Sequence, residues 1–189
     1  PSPVKTGVSN SLNNLSNVVT IPNNLLQGEF SKAGDNTIRF IINTTFGILG
    51  FIDVANYIGL PKYEKEDYGQ TLGAWGIGPG CYIVLPVLGP STVRDTAGSF
   101  ANVLGGDPWY NASVHGNNEF LSESAFIASK ALSGIDFRAN NIESFENLET
   151  NSIDFYASVK SLYLQDRQNK IENNQRGSIE VLYKDEEDW

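Results

Sequence analysis

The stretch FSKAGDNTIRFIINTT, residues 30–45, decides how the chain is read. It predicts a helix from Phe30 to about Thr45 in which Asp35, Arg39 and Asn43 recur at i, i+4 and i+8 as a narrow polar stripe. Ile38, Phe40, Ile41 and Ile42 make the rest of its surface almost wholly apolar. A helix that is apolar over most of its circumference is either buried or faces lipid.

Upstream, Val4, Val8, Leu12, Leu15 and Val19 are spaced as on an amphipathic helix. Pro22 falls in the next apolar segment, and Leu25-Leu26-Gln27 leads to Gly28, which suits a C-cap. Downstream, the short apolar piece Phe46 to Asp53 carries two glycines, and a charged loop follows from Lys62 to Asp67. Gly69 to Gly89, rich in glycine, reads as an extended, turn-rich segment or hairpin rather than a helix. Pro90-Ser91-Thr92 reads as the start of a helix running to about Leu104, and Gly105 to Trp109 as a loop. Further helices are expected over Ser122–Leu132 and Ser152–Lys170. The polar stretch from Glu172 to the acidic end at Trp189 is expected to be disordered.

Composition excludes several functions. The 189 residues hold 13 Lys plus Arg against 22 Asp plus Glu, a net charge of −9, with no basic surface for nucleic acid. The longest apolar runs, Phe46–Ile52 and Ile83–Gly89, fall short of the roughly 18 residues that would span a bilayer. Cys81 is the only cysteine and His115 the only histidine, which removes internal disulfides, Cys-type zinc sites and most nucleophile–base triads. The chain has no methionine and opens Pro-Ser-Pro, so its natural start is expected to lie upstream. The asparagine pairs at 13–14, 23–24, 117–118, 140–141 and 173–174 read as composition rather than chemistry.

Few residues suggest chemistry. Gly73, Gly76, Gly78 and Gly80 lack the Gly-Lys-Ser/Thr ending of a phosphate-cradling loop and read as turn and packing glycines. Glu64, Glu66 and Asp67 interleave with Lys62 and Lys65 and read as a solvated charged loop. His115 reads as a surface or capping residue, and Cys81 as a small buried hydrophobe. On the Ser152–Lys170 helix, Tyr156, Lys160, Tyr163 and Arg167 line up at i, i+4, i+7 and i+11. Such a stripe of phenols and cations suits the phosphate of a lipid headgroup. The alternative is that its cations pair with acids such as Asp166 or Glu143 while the tyrosines pack.

Several segments together resemble the MlaA (VacJ) family of outer-membrane lipoproteins. They are Val8-Ser-Asn with the later Asn14-Leu15, Leu26-Gln-Gly28, the run from Arg39 to Gly47 and Gly50-Phe-Ile-Asp-Val54. Gly69-Gln-Thr-Leu-Gly73, Trp75-Gly-Ile-Gly78, Tyr82 to Pro86 and Gly89-Pro-Ser-Thr-Val-Arg-Asp95 extend the likeness. Tyr156, Lys160, Tyr163 and Arg167 complete it, with Lys160 standing where the family pattern has arginine. The likeness covers roughly Val4 to Lys170.

The resemblance implies a mostly α fold, a flat ring of amphipathic helices with a glycine-rich, hairpin-like insertion, lying within the inner leaflet of a Gram-negative outer membrane. It implies a non-enzymatic function without a cofactor. Misplaced phospholipid leaves the outer leaflet through a central amphipathic channel and passes to a soluble periplasmic lipid carrier, which maintains lipid asymmetry. A trimeric porin is the usual partner. The lipid-modified cysteine belongs near the mature N-terminus, so Cys81 is not the anchor, and the chain is expected to begin after that anchor and after the first helix. Residues 1–171 are then one helical lipid-channel domain and 172–189 its acidic tail. Candidate channel and headgroup residues are Asp35, Arg39, Asn43, Arg94, Tyr156, Lys160, Tyr163 and Arg167. Gly47, Gly50, Gly73, Gly76 and Gly78 suit a hinge or channel rim. The competing class is a soluble helical protein-interaction module with no lipid path, and a carboxylate hydrolase ranks last for want of a convincing acid pair.

Overall fold

Helix α1 runs unbroken over Ser2–Leu26, through Pro22. The computed structural model describes residues 2–86, 89–101, 128, 131–132, 134–136, 138–139 and 141–172. The sequence put Pro22 beyond the first helix because proline removes a backbone donor in a helix interior. Here buried side-chain bonds hold the last turns together. Asn23 Nδ2 donates to the Val19 carbonyl at 2.8 Å, and Asn36 Nδ2 donates to Asn24 Oδ1 at 2.9 Å. Gly28, at φ +80°, then closes the helix as expected, with Glu29 N donating to Asn24 O and Gly28 N to Leu25 O.

Helix α2 covers Phe30–Thr45, as its periodicity predicts, and packs along α1. Asp53 caps the short α3, Val54–Tyr57, by accepting from Asn56 N. Asp67 caps α4, Tyr68–Ala74, by accepting from Gln70 N. This corrects the extended reading of Gly69 to Gly73: the glycines sit inside a helix. Close packing is the reason. A Cβ on Gly69 would lie 2.6 Å from Asp95 Oδ1, and one on Gly98 would lie 2.5 Å from the Gly69 backbone nitrogen.

The expected hairpin follows. Strand β1, Tyr82–Leu85, pairs antiparallel with β2, Gly89–Thr92, in the register Tyr82↔Thr92 through Leu85↔Gly89. Pro90 and Ser91, read as a helix start, therefore belong to β2. Thr92 does the capping, its Oγ1 accepting from Asp95 N at 3.2 Å, and α5 runs Val93–Ala101. Helix α6, Ile142–Asn151, was not foreseen. Helix α7 covers Phe155–Ile171 and starts later than Ser152, because Asp154 is the cap and accepts from Ala157 N. Of the helix expected over Ser122–Leu132, residues 128, 131 and 132 are described and are helical. Gly105 to Trp109, His115 and 173–189 lie outside the described residues. Among those described, no helix is long and apolar enough to cross a membrane.

What faces inward is polar. The buried apolar side chains described are Ala33 and Ala55, small residues both. The other buried side chains are Asn14, Asn17, Thr20, Asn23 and Asn24 of α1, Asn36, Arg39 and Asn43 of α2, and a second group from Glu66 to Arg167. Phe30, Phe46, Ile48, Leu49 and Tyr57 are each at least 68% exposed. A water-soluble domain buries its isoleucines and phenylalanines and keeps amides outside, because unpartnered buried polar groups are costly. This chain reverses the pattern, and Asn14, Asn23 and Asn24, read as composition, lie in its interior.

Candidate functional site

Among the described residues, two buried polar clusters and a more exposed aromatic corner stand out. The first lies between α1, α2 and α3. Arg39, 3% exposed, donates from Nη2 to both oxygens of Asp53 at 2.8 and 2.7 Å and from Nη1 to the Pro61 carbonyl at 2.7 Å. Asn43 bridges the same loop, its Nδ2 donating to Asp53 Oδ1 and its Oδ1 accepting from Ala55 N, both at 2.9 Å. The polar stripe of α2 is thus Asn36, Arg39 and Asn43, with Asp35 half-buried on its flank. A helical turn of 3.6 residues favours the i, i+3, i+7 row, which the sequence reading replaced with i, i+4, i+8.

The second cluster joins α4, α5 and α7. Arg167 donates from Nη1 to Asp67 Oδ2 at 2.7 Å and from Nη2 to Asp67 Oδ1 and Asp95 Oδ1, each at 2.9 Å. Arg94 reaches Asp95 Oδ1 from Nη2 at 3.0 Å and the Ile77 carbonyl at 3.3 Å. The Tyr163 hydroxyl donates to Asp95 Oδ2 at 2.8 Å. Burial by itself would raise both carboxyls, but the Arg167 charge and hydrogen bonds hold Asp67 well below the usual carboxylate range and lower Asp95 as well. Burial, reinforced by its bond to Asp95, pushes the Tyr163 phenol above its ordinary value. Arg167 therefore pairs with Asp67 and Asp95, not with Asp166 or Glu143, and Asp166 pairs with Lys170 instead.

Between the clusters sits Glu66, 3% exposed. Its Oε2 accepts from Gln27 Nε2 at 3.0 Å, and its backbone N–H donates to Thr20 Oγ1. Burial pushes the Glu66 carboxyl up to about 7, with the Glu29 and Asp67 charges adding to the rise against the Gln27 bond. The acids from Glu64 to Asp67 are therefore not one solvated loop, because two of them turn inward to meet Gln27 and Arg167. Tyr63 bonds Thr20 nearby, and burial raises its phenol to about 12. Cys81, expected to be buried, is exposed.

The aromatic corner stands beside the hairpin. The Tyr82 ring on β1 meets Tyr156 edge-on at 5.7 Å and Tyr163 at 6.1 Å, and Lys160 Nζ lies 5.8 Å from its centroid. Tyr82 was not singled out from the sequence; its place opposite the Tyr156 stripe is a tertiary fact. Gly47, Gly50 and Gly73 have neighbours within 2.5 Å of where a Cβ would sit, whereas Gly76 and Gly78 have open space.

Comparison with known proteins fits this architecture. The family model described as MlaA lipoprotein matches residues 1–170. The chain belongs to the MlaA lipoprotein family. An Escherichia coli relative, the intermembrane phospholipid transport system lipoprotein MlaA, is 34% identical over 167 residues, covering 87% of this chain and 62% of the relative. Its Haemophilus influenzae counterpart of the same description is 30% identical over 172 residues, covering 90% and 65%. An uncharacterized Rickettsia bellii protein is 31% identical over 170 residues, covering 89% and 63%. The chain thus spans a little under two thirds of the length of these relatives. A solved structure concerned with the structural basis for maintenance of bacterial outer membrane lipid asymmetry superposes with a TM-score of 0.76 at 31% identity, over 90% of this chain and 81% of that one.

Proposed function

We propose that this MlaA-family chain is a phospholipid conduit of the outer membrane, non-enzymatic, working from the periplasmic leaflet within a system that keeps that membrane asymmetric. The observation that carries the reading is the inverted partition: amides and ion pairs inside, isoleucines and phenylalanines outside. Such a molecule is stabilised by an apolar surround, in which outward side chains meet acyl chains and helices lie in the plane of the leaflet. A headgroup then moves along the polar interior of a helical ring while its tails stay in the lipid. No bond is made or broken, and direction comes from the acceptor, a soluble periplasmic carrier. A trimeric porin is the partner that seats the ring.

Headgroup contact narrows to the aromatic corner. Arg39, Arg94 and Arg167 each spend their charge on an internal carboxylate. Lys160 is exposed and makes no ion pair among the described residues, so its ammonium, with the phenols of Tyr82 and Tyr156 beside it, is the group available to a phosphate. Gly76 and Gly78 provide the flexible rim.

Detergent-purified protein should carry phospholipid detectable by mass spectrometry and pass it to an acceptor vesicle, with Lys160→Ala slowing transfer severalfold. Lipid-free protein that is soluble and monomeric without detergent would overturn the proposal in favour of a protein-interaction module.

A further inference from the structure

Asn14 and Asn17 are 4% and 2% exposed, yet the side-chain oxygen of each has no hydrogen-bond partner among the described residues. Both line a cavity of about 30 Å³ between α1 and α2, which opens at exposed Asn13 and partly exposed Asp53. That is room for about two water-sized groups.

Several amide nitrogens of the cavity wall donate back into the protein. Asn14 Nδ2 donates to Thr44 Oγ1 at 2.9 Å, Asn10 Nδ2 to the Phe51 carbonyl at 3.3 Å and Asn17 Nδ2 to the Asn13 carbonyl at 3.5 Å. Arg39 and Asn43 direct their donors at Asp53 and Pro61. In this arrangement Asn14 Oδ1 and Asn17 Oδ1 are left over as acceptors. The orientation of Asn17 is dictated rather than arbitrary, since a backbone carbonyl only accepts and a flipped amide would set oxygen against oxygen. Asp53 adds a third acceptor: its Oδ2 takes a single bond, from Arg39 at 2.7 Å, while Oδ1 is shared among Arg39, Asn43 and Asn56.

We infer that this cavity receives a primary ammonium group, the terminus of an ethanolamine headgroup, on Asn14 Oδ1, Asn17 Oδ1 and Asp53 Oδ2. Three acceptors match the three N–H bonds of such a group, whereas hard metal cations want about six or more oxygens. Trimethylated choline has no N–H to give and is too large for the space. Arg39 offsets part of the Asp53 charge, and the Asp53 carboxylate at the mouth disfavours an anion. The inference rests on the lipid-conduit reading for its source of ammonium but on the cavity alone for its chemistry.

The test offers the detergent-solubilised full chain an equimolar mixture of phosphatidylethanolamine, phosphatidylcholine and phosphatidylglycerol, and quantifies retained lipid. Ethanolamine lipid should be enriched over choline lipid by about tenfold, as expected for charge-assisted hydrogen bonds. Asn17→Leu should bring that ratio close to one without lowering total lipid. Equal retention by the unaltered chain overturns the inference whatever the variants do, as does an Asn17→Leu protein with unchanged preference. If no lipid of any kind is retained, the conduit reading fails, and titration with O-phosphoethanolamine against phosphocholine decides the cavity. Binding of the former alone, lost in Asn17→Leu, keeps the ammonium site for a free amine, and binding of neither overturns it.

Discussion

Replacing Arg167 with Met tests the second polar cluster most directly. The substitution preserves much of the side-chain volume but removes three hydrogen bonds and one charge from a group that is 9% exposed. Breaking a buried pair from one side costs about 3–5 kcal/mol, because the partner is left charged and dry. The two partners differ. The Asp95 side chain, 7% exposed, keeps Arg94, Tyr163 and Thr92, whereas Asp67 is 34% exposed and can rehydrate. The loss should therefore fall near the lower figure, about 3 kcal/mol, or roughly 6–12 °C in Tm for a chain of this size. Thermal unfolding followed by circular dichroism in detergent measures it. The pH dependence gives a second reading of the same cause. Both carboxyls lie below their usual range in the intact protein, so their stabilisation is complete above that range and is lost as pH falls through it. In the variant they protonate more readily, so the gap between the two proteins should hold steady down to about pH 5 and narrow below it. A drop under about 2 °C at pH 7, or a gap that stays constant from about pH 5 to about pH 2, would refute the claim that Arg167 is the counterion of both acids.

Glu66→Gln should remove a pH dependence rather than stability. With its carboxyl raised from 4.5 to about 7, the intact protein favours the neutral form and loses stability as pH rises across that interval, by at most about 3 kcal/mol; the glutamine variant should show a flatter Tm-against-pH curve there. Gly98→Ala sets a methyl 2.5 Å from the Gly69 backbone and should cost about 1–3 kcal/mol by overpacking, read from the same thermal scans. Ile48 and Leu49 have φ of 51° and 56°, left-handed values that side chains resist, so Leu49→Gly should raise Tm in detergent by the relief of about 1 kcal/mol while weakening liposome partitioning measured by flotation.

Local order was legible where one element carries its own signal. The α2 span, the Gly28 cap, the hairpin and most of α7 follow from periodicity, caps and turn residues. Arg39 and Asn43 were also recognisable as one face of α2, because helical spacing places them together whatever surrounds them. The sense of that face was harder. An asparagine-rich helix face is the outer one in water and the inner one in lipid, and α1 carries no local mark of which solvent it meets. The α4 helix was missed because glycine lowers helix propensity, whereas its glycines are there to admit Asp95, Arg167 and Gly98. The partners of Arg167 lie 100 and 72 residues away, beyond any local pattern, so nearby Asp166 and Glu143 looked like the natural choices. Glu66 looked solvated for the same reason: what dries it is α1, not its own segment.

The span between Asp67 and Arg167 also orders events in time. Their contact closes a loop of 100 residues, and the contact to Asp95 one of 72. A chain emerging from the ribosome presents Asp67 long before Arg167 exists, and Asp95 with Arg94 alone for a counterion. Its N-terminal helix pair, held by bonds such as Asn36 to Asn24 only 12 residues apart, can assemble early, while α4 and α5 wait. Helix α7 is therefore the latch of the described fold, and a chain cut short before Arg167 should remain open and be cleared by proteases rather than inserted half-built.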